Sequence, residues 1–192
     1  MEFRIHTFED HEPIPKRHAL EGENISPALS WSVPAGCKEF AIICEDPDAP
    51  KTAGQDHPFT HWLIYNIPFN VTSLPERIPL ETQMRSPVAA AQGLNSFGKI
   101  GYYGPMPPVD SGVHHYVFTI YALGGKLKLE PGADKKALMK AMRGYTIATA
   151  HITGTYERRS KGRIKRMADA TGISESDIVK SLSWKARNLC LK

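Results

Sequence analysis

The sequence predicts a mainly β protein of sandwich type with one late helix and helical segments at its end. Two observations carry this. About seven short segments rich in apolar, β-branched and aromatic residues are bounded by Pro, Gly, Asp and Ser, as strands are. Helical spacing is confined to the chain after Ala133, so helices do not alternate with strands. No internal repeat or low-complexity segment interrupts the pattern.

In order, Phe3 and Ile5 alternate with polar residues and form a first strand. His11–Arg17 is a proline-containing loop, and the chain from Glu23 runs into a second strand ending at Trp31. Lys38–Cys44 is a central strand. Phe40, Ile42 and Cys44 lie on one side and Ala41 and Ile43 on the other, so both faces are apolar and the strand is buried. It runs into Asp46-Pro47-Asp48-Ala49-Pro50, where the prolines fix a stiff turn holding two carboxylates at the rim of a core. Lys51–Pro58 is a polar loop beside them. Thr60–Ile67 is the next strand; alternation places His61 at its start on the face of Leu63, Tyr65 and Ile67.

Pro68–Pro87 has four prolines and no period and reads as a long loop, a length that suggests function or mobility. Gly98–Pro108 is a glycine- and proline-rich loop. Val113–Leu123 is the clearest strand, with His114, Tyr116, Phe118 and Ile120 on one face. Ala133–Arg143 has helical spacing at Leu138, Met139 and Met142, and Gly144 stops it. Ile147–Tyr156 alternates as a last strand.

With 192 residues and 41% hydrophobic composition the chain can bury one real core. No run of about 18 apolar residues exists to span a membrane, and the first strand does not read as a signal peptide. Cys37, Cys44 and Cys190 lack any CxxC spacing and fit free thiols in a reducing compartment, so cytoplasm is the expectation. The net charge of +4 is uneven: from Glu157 onward ten Lys and Arg stand against four Asp and Glu, whereas residues 1–156 hold 14 against 16.

Asp46, Asp48, His61 and His114 all fall at strand ends beside special loops, where a rigid scaffold presents binding groups. Two imidazoles near two carboxylates suit an anion pocket, a divalent metal site or an acid–base pair for hydrolysis of phosphate esters. The basic run Arg158–Arg166 precedes a spacing like that of a helix-turn-helix: Ala168, Gly172, Ile173, Ile178 and Leu182 fall at small, turn and core positions, and Ser174 followed by Asp177 resembles a capping box. Residues 158–182 could therefore meet nucleic acid, or an anionic membrane surface.

Ser26-Pro27-Ala28-Leu29-Ser30-Trp31, Asp46-Pro47-Asp48-Ala49-Pro50, His61-Trp62, Gly104-Pro105-Met106-Pro107-Pro108 and Gly112-Val113-His114-His115-Tyr116-Val117-Phe118 occur in this order. Together they resemble the signature of the phosphatidylethanolamine-binding protein family, and within it the prokaryotic branch named after Raf kinase inhibitor protein. The resemblance covers residues 1–157, leaving 158–192 as a basic helical extension. It implies a sandwich of two antiparallel sheets with Greek-key links. It also implies a small cavity for phosphate-like anions, lined by Asp46, Asp48, His61, Gly104, Pro105, His114 and Tyr116. A non-enzymatic binder without cofactor is the implied function, with kinase regulation or serine protease inhibition among the family's roles; surface loops including Leu74–Pro87 would carry such contacts. Two positions depart from the family pattern: His115 stands where arginine is common, and Val109 where lysine or another polar residue is frequent. Trp184 is the candidate for an aromatic that closes the pocket from the C-terminal side.

Overall fold

In the computed structural model, which describes residues 1–51 and 58–188, two antiparallel sheets enclose the main core. The small sheet joins β1 (Phe3–Ile5), β2 (Leu29–Trp31) and β5 (Ser73–Leu74) in the order β1-β2-β5. The large one holds β3 (Glu39–Asp46), β4 (Phe59–Pro68), β6 (Gln83–Met84), β7 (Ala90–Gln92), β8 (His114–Leu123) and β9 (Thr146–Tyr156) in the order β6-β7-β4-β3-β8-β9. β8 lies beside β3 although it comes much later in the chain, so the sheet is assembled through a crossover.

β3 shows why the pattern folds this way. Phe40, Ile42 and Cys44 point between the sheets, where they meet Phe3, Trp31, Trp62 and Phe118. Ala41 and Ile43 point to the other side and pack with Leu63, Tyr65, Leu138 and Met142 beneath α1 (Lys135–Met142). α1 starts at Asp134, whose Oδ1 accepts from the Ala137 amide at 2.7 Å. Of its three expected apolar contacts Leu138 and Met142 are buried, one turn apart, while Met139 is 45% exposed on the outer face. Lys135 Nζ donates to Glu45 Oε1 at 2.8 Å and to the Pro58 carbonyl at 2.9 Å, tying the helix to the end of β3.

Two bulges correct the simple alternation of β4. Between Cys44 and Glu45 the partner passes from Trp62 to Thr60, leaving His61 as the extra residue. Between Phe40 and Ile42 it passes from Ile67 to Ile64, and Asn66 takes a positive φ of 56°. Leu63 and Tyr65 therefore face α1, while Ile67 joins Trp62 and Ile64 between the sheets.

The segment Pro68–Pro87 is not purely loop, for it contains β5 and β6, each two residues long. A 3-10 turn, Lys16–His18, sits in what the sequence reads as plain loop. After β9 come α2 (Lys161–Thr171) and α3 (Glu175–Asn188), with Gly172 at φ 66° between them. The Ser174 hydroxyl accepts from the Asp177 amide at 3.2 Å as the cap of α3. Ile178 is buried but Ile173, expected in a core, is 48% exposed. The Trp184 side chain, Cys190 and residues 52–57 of the loop beside the carboxylates lie outside the described residues.

Candidate functional site

The antiparallel register brings three strand ends to one edge of the large sheet. The end of β3 meets the start of β4, Asp46 opposite Phe59, and the start of β8, Glu45 opposite Val117. Asp46 continues the inward row of Ile42 and Cys44, and His114 and Tyr116 begin the inward row of Phe118 and Ile120. His61 reaches the same side only because the bulge inserts it. Its ring stands edge-on to Tyr116 with centroids 5.0 Å apart.

The resulting cluster is closed: Asp46, His61, His114 and Tyr116 are all at most 3% exposed. His114 Nδ1 donates to Asp46 Oδ2 at 2.8 Å, and Asp46 Oδ1 accepts from the Asp48 amide at 2.8 Å. His114 Nε2 lies 3.0 Å from Ser111 Oγ, which also donates to the Pro108 carbonyl at 2.8 Å. His61 Nδ1 donates to the Tyr103 carbonyl at 2.7 Å. The Tyr116 hydroxyl is buried and in no well-formed hydrogen bond; burial first, and then the charge and weak hydrogen bonding of the nearby Asp46 carboxylate, push its pKa upward. A buried hydroxyl without a well-formed hydrogen bond is uncommon and marks a place where an acceptor would gain.

Asp48 lies apart from this cluster, on the exposed side. Its Oδ2 accepts from the His115 amide at 2.9 Å and the His115 ring Nδ1 at 2.7 Å. Partial burial raises its pKa, but the His115 hydrogen bonds outweigh this and the net shift is downward. The two carboxylates thus divide their work, Asp46 with the buried imidazole and Asp48 with the exposed one. Gly104 and Pro105 follow Tyr103, whose carbonyl meets His61, and the Gly104 backbone also approaches that ring. The Gly104 amide donates to Asn24 Oδ1 at 2.8 Å, and the Pro105 carbonyl accepts from the Leu20 amide at 3.0 Å.

Three contributors escape a sequence reading: Ser111, the Tyr103 carbonyl, and the aromatic pair Phe59 and Phe97. The Phe59 and Phe97 rings lie 5.1 and 5.9 Å from that of His61. Ser111 carried a signal, since it stands three residues before His114 in an Asp-Ser-Gly turn; the positive φ of Asp110 and Gly112 folds it back. Among the described residues, no three His, Cys, Asp or Glu side chains gather closely enough to hold a metal ion.

Desolvation lowers the pKa of His61 from 6.5, and the same cause lowers that of His18, a buried imidazole whose Nδ1 donates to the Ile25 carbonyl. The folded state therefore binds fewer protons than the unfolded chain just below pH 6.5, and stability should fall as pH drops through that window. The slope is at most about 1.4 kcal/mol per pH unit for each imidazole. Glu39, pushed upward by burial, acts in the opposite sense but starts from 4.5, further down. Urea midpoints measured from pH 7 downward check this; a midpoint that stays level below 6.5 would contradict it.

Most of the chain is similar to known proteins. A family model described as phosphatidylethanolamine-binding protein matches residues 4–157. A protein of Methanothermobacter thermautotrophicus named only as a UPF0098 protein is 46% identical over 159 residues, 82% of this chain and 99% of that one. A solved structure from Chlamydia trachomatis, described as a phosphatidylethanolamine-binding protein homolog, is 40% identical with a TM-score of 0.72 and covers 81% of this chain and 96% of its own. One from Escherichia coli, described as a new member of the mammalian family, is 35% identical with a TM-score of 0.73 over 81% of this chain and 97% of that one.

Proposed function

The chain belongs to the phosphatidylethanolamine-binding protein family, and from that premise we propose that it holds a phosphate-like group, free or as a lipid head group, at the Asp46–His61–His114–Tyr116 cluster. The observation that carries this reading is the buried Tyr116 hydroxyl, near the Asp46 carboxylate but in no well-formed hydrogen bond, set beside an imidazole pair whose ring nitrogens donate. A phosphate oxygen would accept from that hydroxyl and from protonated imidazole. A carboxylate at about 4 Å opposes a unit of phosphate charge by roughly 4 kcal/mol at an effective dielectric near 20. Asp46 is therefore better matched to an ammonium, and phosphoethanolamine offers both halves. Entry to His114 Nε2 passes Ser111, so binding requires that rim residue to give way.

In this reading residues 1–157 form the binding unit and 158–192 are an appendage. The reducing cytoplasm suits the two buried free thiols, Cys37 and Cys44. The His114–Asp46 pair, at 2.8 Å, supports a second reading as a general acid–base for phosphate-ester hydrolysis. Control of a kinase or a serine protease would have to use the outer loops, among them Leu74–Pro87, where Leu80 is 54% exposed.

Calorimetric titration with phosphoethanolamine at two pH values tests the binding reading. A bound anion favours charged His61, whose pKa lies below 6.5, so affinity should rise as pH falls through that region, and His114→Ala should abolish it. Affinity that is flat from about pH 5.5 to 8, or that survives in His114→Ala, would overturn it. Turnover of a phosphate ester by the same sample would favour the hydrolase instead.

A further inference from the structure

The loop from Pro105 to Val113 leads to His114, and its apolar residues are divided. Pro105 and Pro107 are buried, while Met106, Val109 and Val113 are between 43% and 50% exposed. The positive φ of Asp110 and Gly112 gives the loop a fixed turn. Three half-exposed apolar side chains thus fall within eight residues of one loop that leads to His114.

The basic run is fastened to this same loop. Arg158 Nη1 donates to the Pro107 carbonyl at 3.1 Å, the Asp110 amide donates to the Arg158 carbonyl at 2.8 Å, and the Ser160 amide donates to Asp110 Oδ1 at 3.1 Å. From Arg158 to Arg166 the chain holds six Lys and Arg and no acidic residue. Lys165 and Arg166 are exposed on α2. The arginines nearest the sandwich are already matched, Arg158 with Glu21 and Arg159 with Glu157. Val113, Ile164 and Val179 line a groove of about 430 Å³ that also takes in Lys16, Glu21, Glu157 and Arg159, so the apolar loop adjoins α2 and α3 directly, with the two acids of the groove matched to arginines.

We propose that this face, the Met106–Val113 loop together with α2, docks on an anionic lipid surface. Met106, Val109 and Val113 would enter the head-group layer while the cations of α2 lie on lipid phosphates. Only the question of what the docked protein then holds rests on the pocket reading; the docking itself does not. Duplex DNA fits the surface less well. The first turn of α3, which a helix-turn-helix would offer to base edges, carries Glu175 and Asp177, and Lys180 is bonded back to Asp177 at 3.4 Å. Apolar loop tips also find no use against a phosphate backbone.

Sedimentation of the full chain with vesicles tests this, comparing pure phosphatidylcholine with phosphatidylcholine carrying about one third phosphatidylglycerol. Partition onto the anionic vesicles is expected, weakening with salt and falling roughly fivefold for each cation lost. The pair Met106→Ser and Val109→Ser should lower it by about tenfold at unchanged unfolding midpoint, and Lys165→Gln with Arg166→Gln by about 25-fold. Saturating free phosphoethanolamine should leave partition in place, so a failed pocket and a failed surface are told apart. Equal partition onto both vesicles, none on the anionic ones at low salt, or no response to the serine pair would overturn the proposal. Duplex DNA bound in place of vesicles would overturn it too and reassign the basic run.

Discussion

Gly104→Ala is expected to lose about 3 kcal/mol of stability and, with it, affinity for phosphoethanolamine. A Cβ at residue 104 would stand 1.9 Å from the His18 carbonyl oxygen, 2.9 Å from its carbon and 3.0 Å from Ala19 Cα. All three are backbone atoms, so no rotamer relieves the clash and one of two segments must move. These segments are zipped together on either side. The Tyr102 hydroxyl donates to the His18 carbonyl at 2.9 Å, the Gly104 amide to Asn24 Oδ1 and the Leu20 amide to the Pro105 carbonyl. Displacing Gly104 also displaces the neighbouring Tyr103 carbonyl that orients His61. Gly162→Ala is the control: nothing lies within 4 Å of its added carbon, and in helix α2 the change should be neutral or stabilising by up to about 1 kcal/mol. Urea melts of both variants check this. A Gly104→Ala midpoint as high as that of the unsubstituted chain would mean that the two segments slide apart freely and that the backbone beside His61 is soft.

The same residue shows where sequence reading reaches and where it stops. A glycine- and proline-rich loop beside a site is legible, and glycine's freedom of φ is its usual explanation. It holds for Gly98 and Gly101, at φ 68° and 86°. Gly104 is required instead by close approach of the distant segment at His18 and Ala19, which no local pattern encodes. Alternation groups His114 with Tyr116, Phe118 and Ile120 on one face, and they stay together because β3 and β8 pair without a bulge between them; that this is the inner face, continued by Asp46 on β3, shows only in the structure. Alternation fails for His61 and Ile67, because a bulge is a property of the pairing between two strands and not of either sequence. Asp46 and Asp48 look equivalent in sequence, two apart around a proline. Asp46 is the last residue of β3 and faces inward, whereas Asp48 lies past Pro47 on the turn and meets His115. The strands β5 and β6 were invisible for another reason: at two residues each they carry no period to read.

Asp46→Ala should be the most damaging single change to the cluster itself, at about 3 kcal/mol or more. It removes the acceptor of two donors, the buried His114 Nδ1 and the Asp48 amide at the rim, each at 2.8 Å. His114 is 3% exposed, so its Nδ1 is left with its full desolvation penalty, whereas the Asp48 amide lies on an exposed turn and loses only its bond. Asp46→Asn separates the two roles. Its carbonyl oxygen still accepts from the Asp48 amide, but its amide group then faces His114 Nδ1, donor against donor. The imidazole is relieved only by moving its proton to Nε2, towards Ser111 Oγ, which must then accept. The asparagine variant should therefore be more stable than the alanine one while losing phosphoethanolamine affinity nearly as fully, and the imidazole nitrogen shifts of His114 should report the opposite tautomer. A double-mutant cycle completes the case. If the pair acts as a unit, His114→Ala in the Asp46→Ala background should cost at least about 1 kcal/mol less than on its own. Additive losses would instead show two side chains that merely lie close, with His114 held by Ser111 and its packing. The role of Asp46 would then reduce to capping the turn at Asp48.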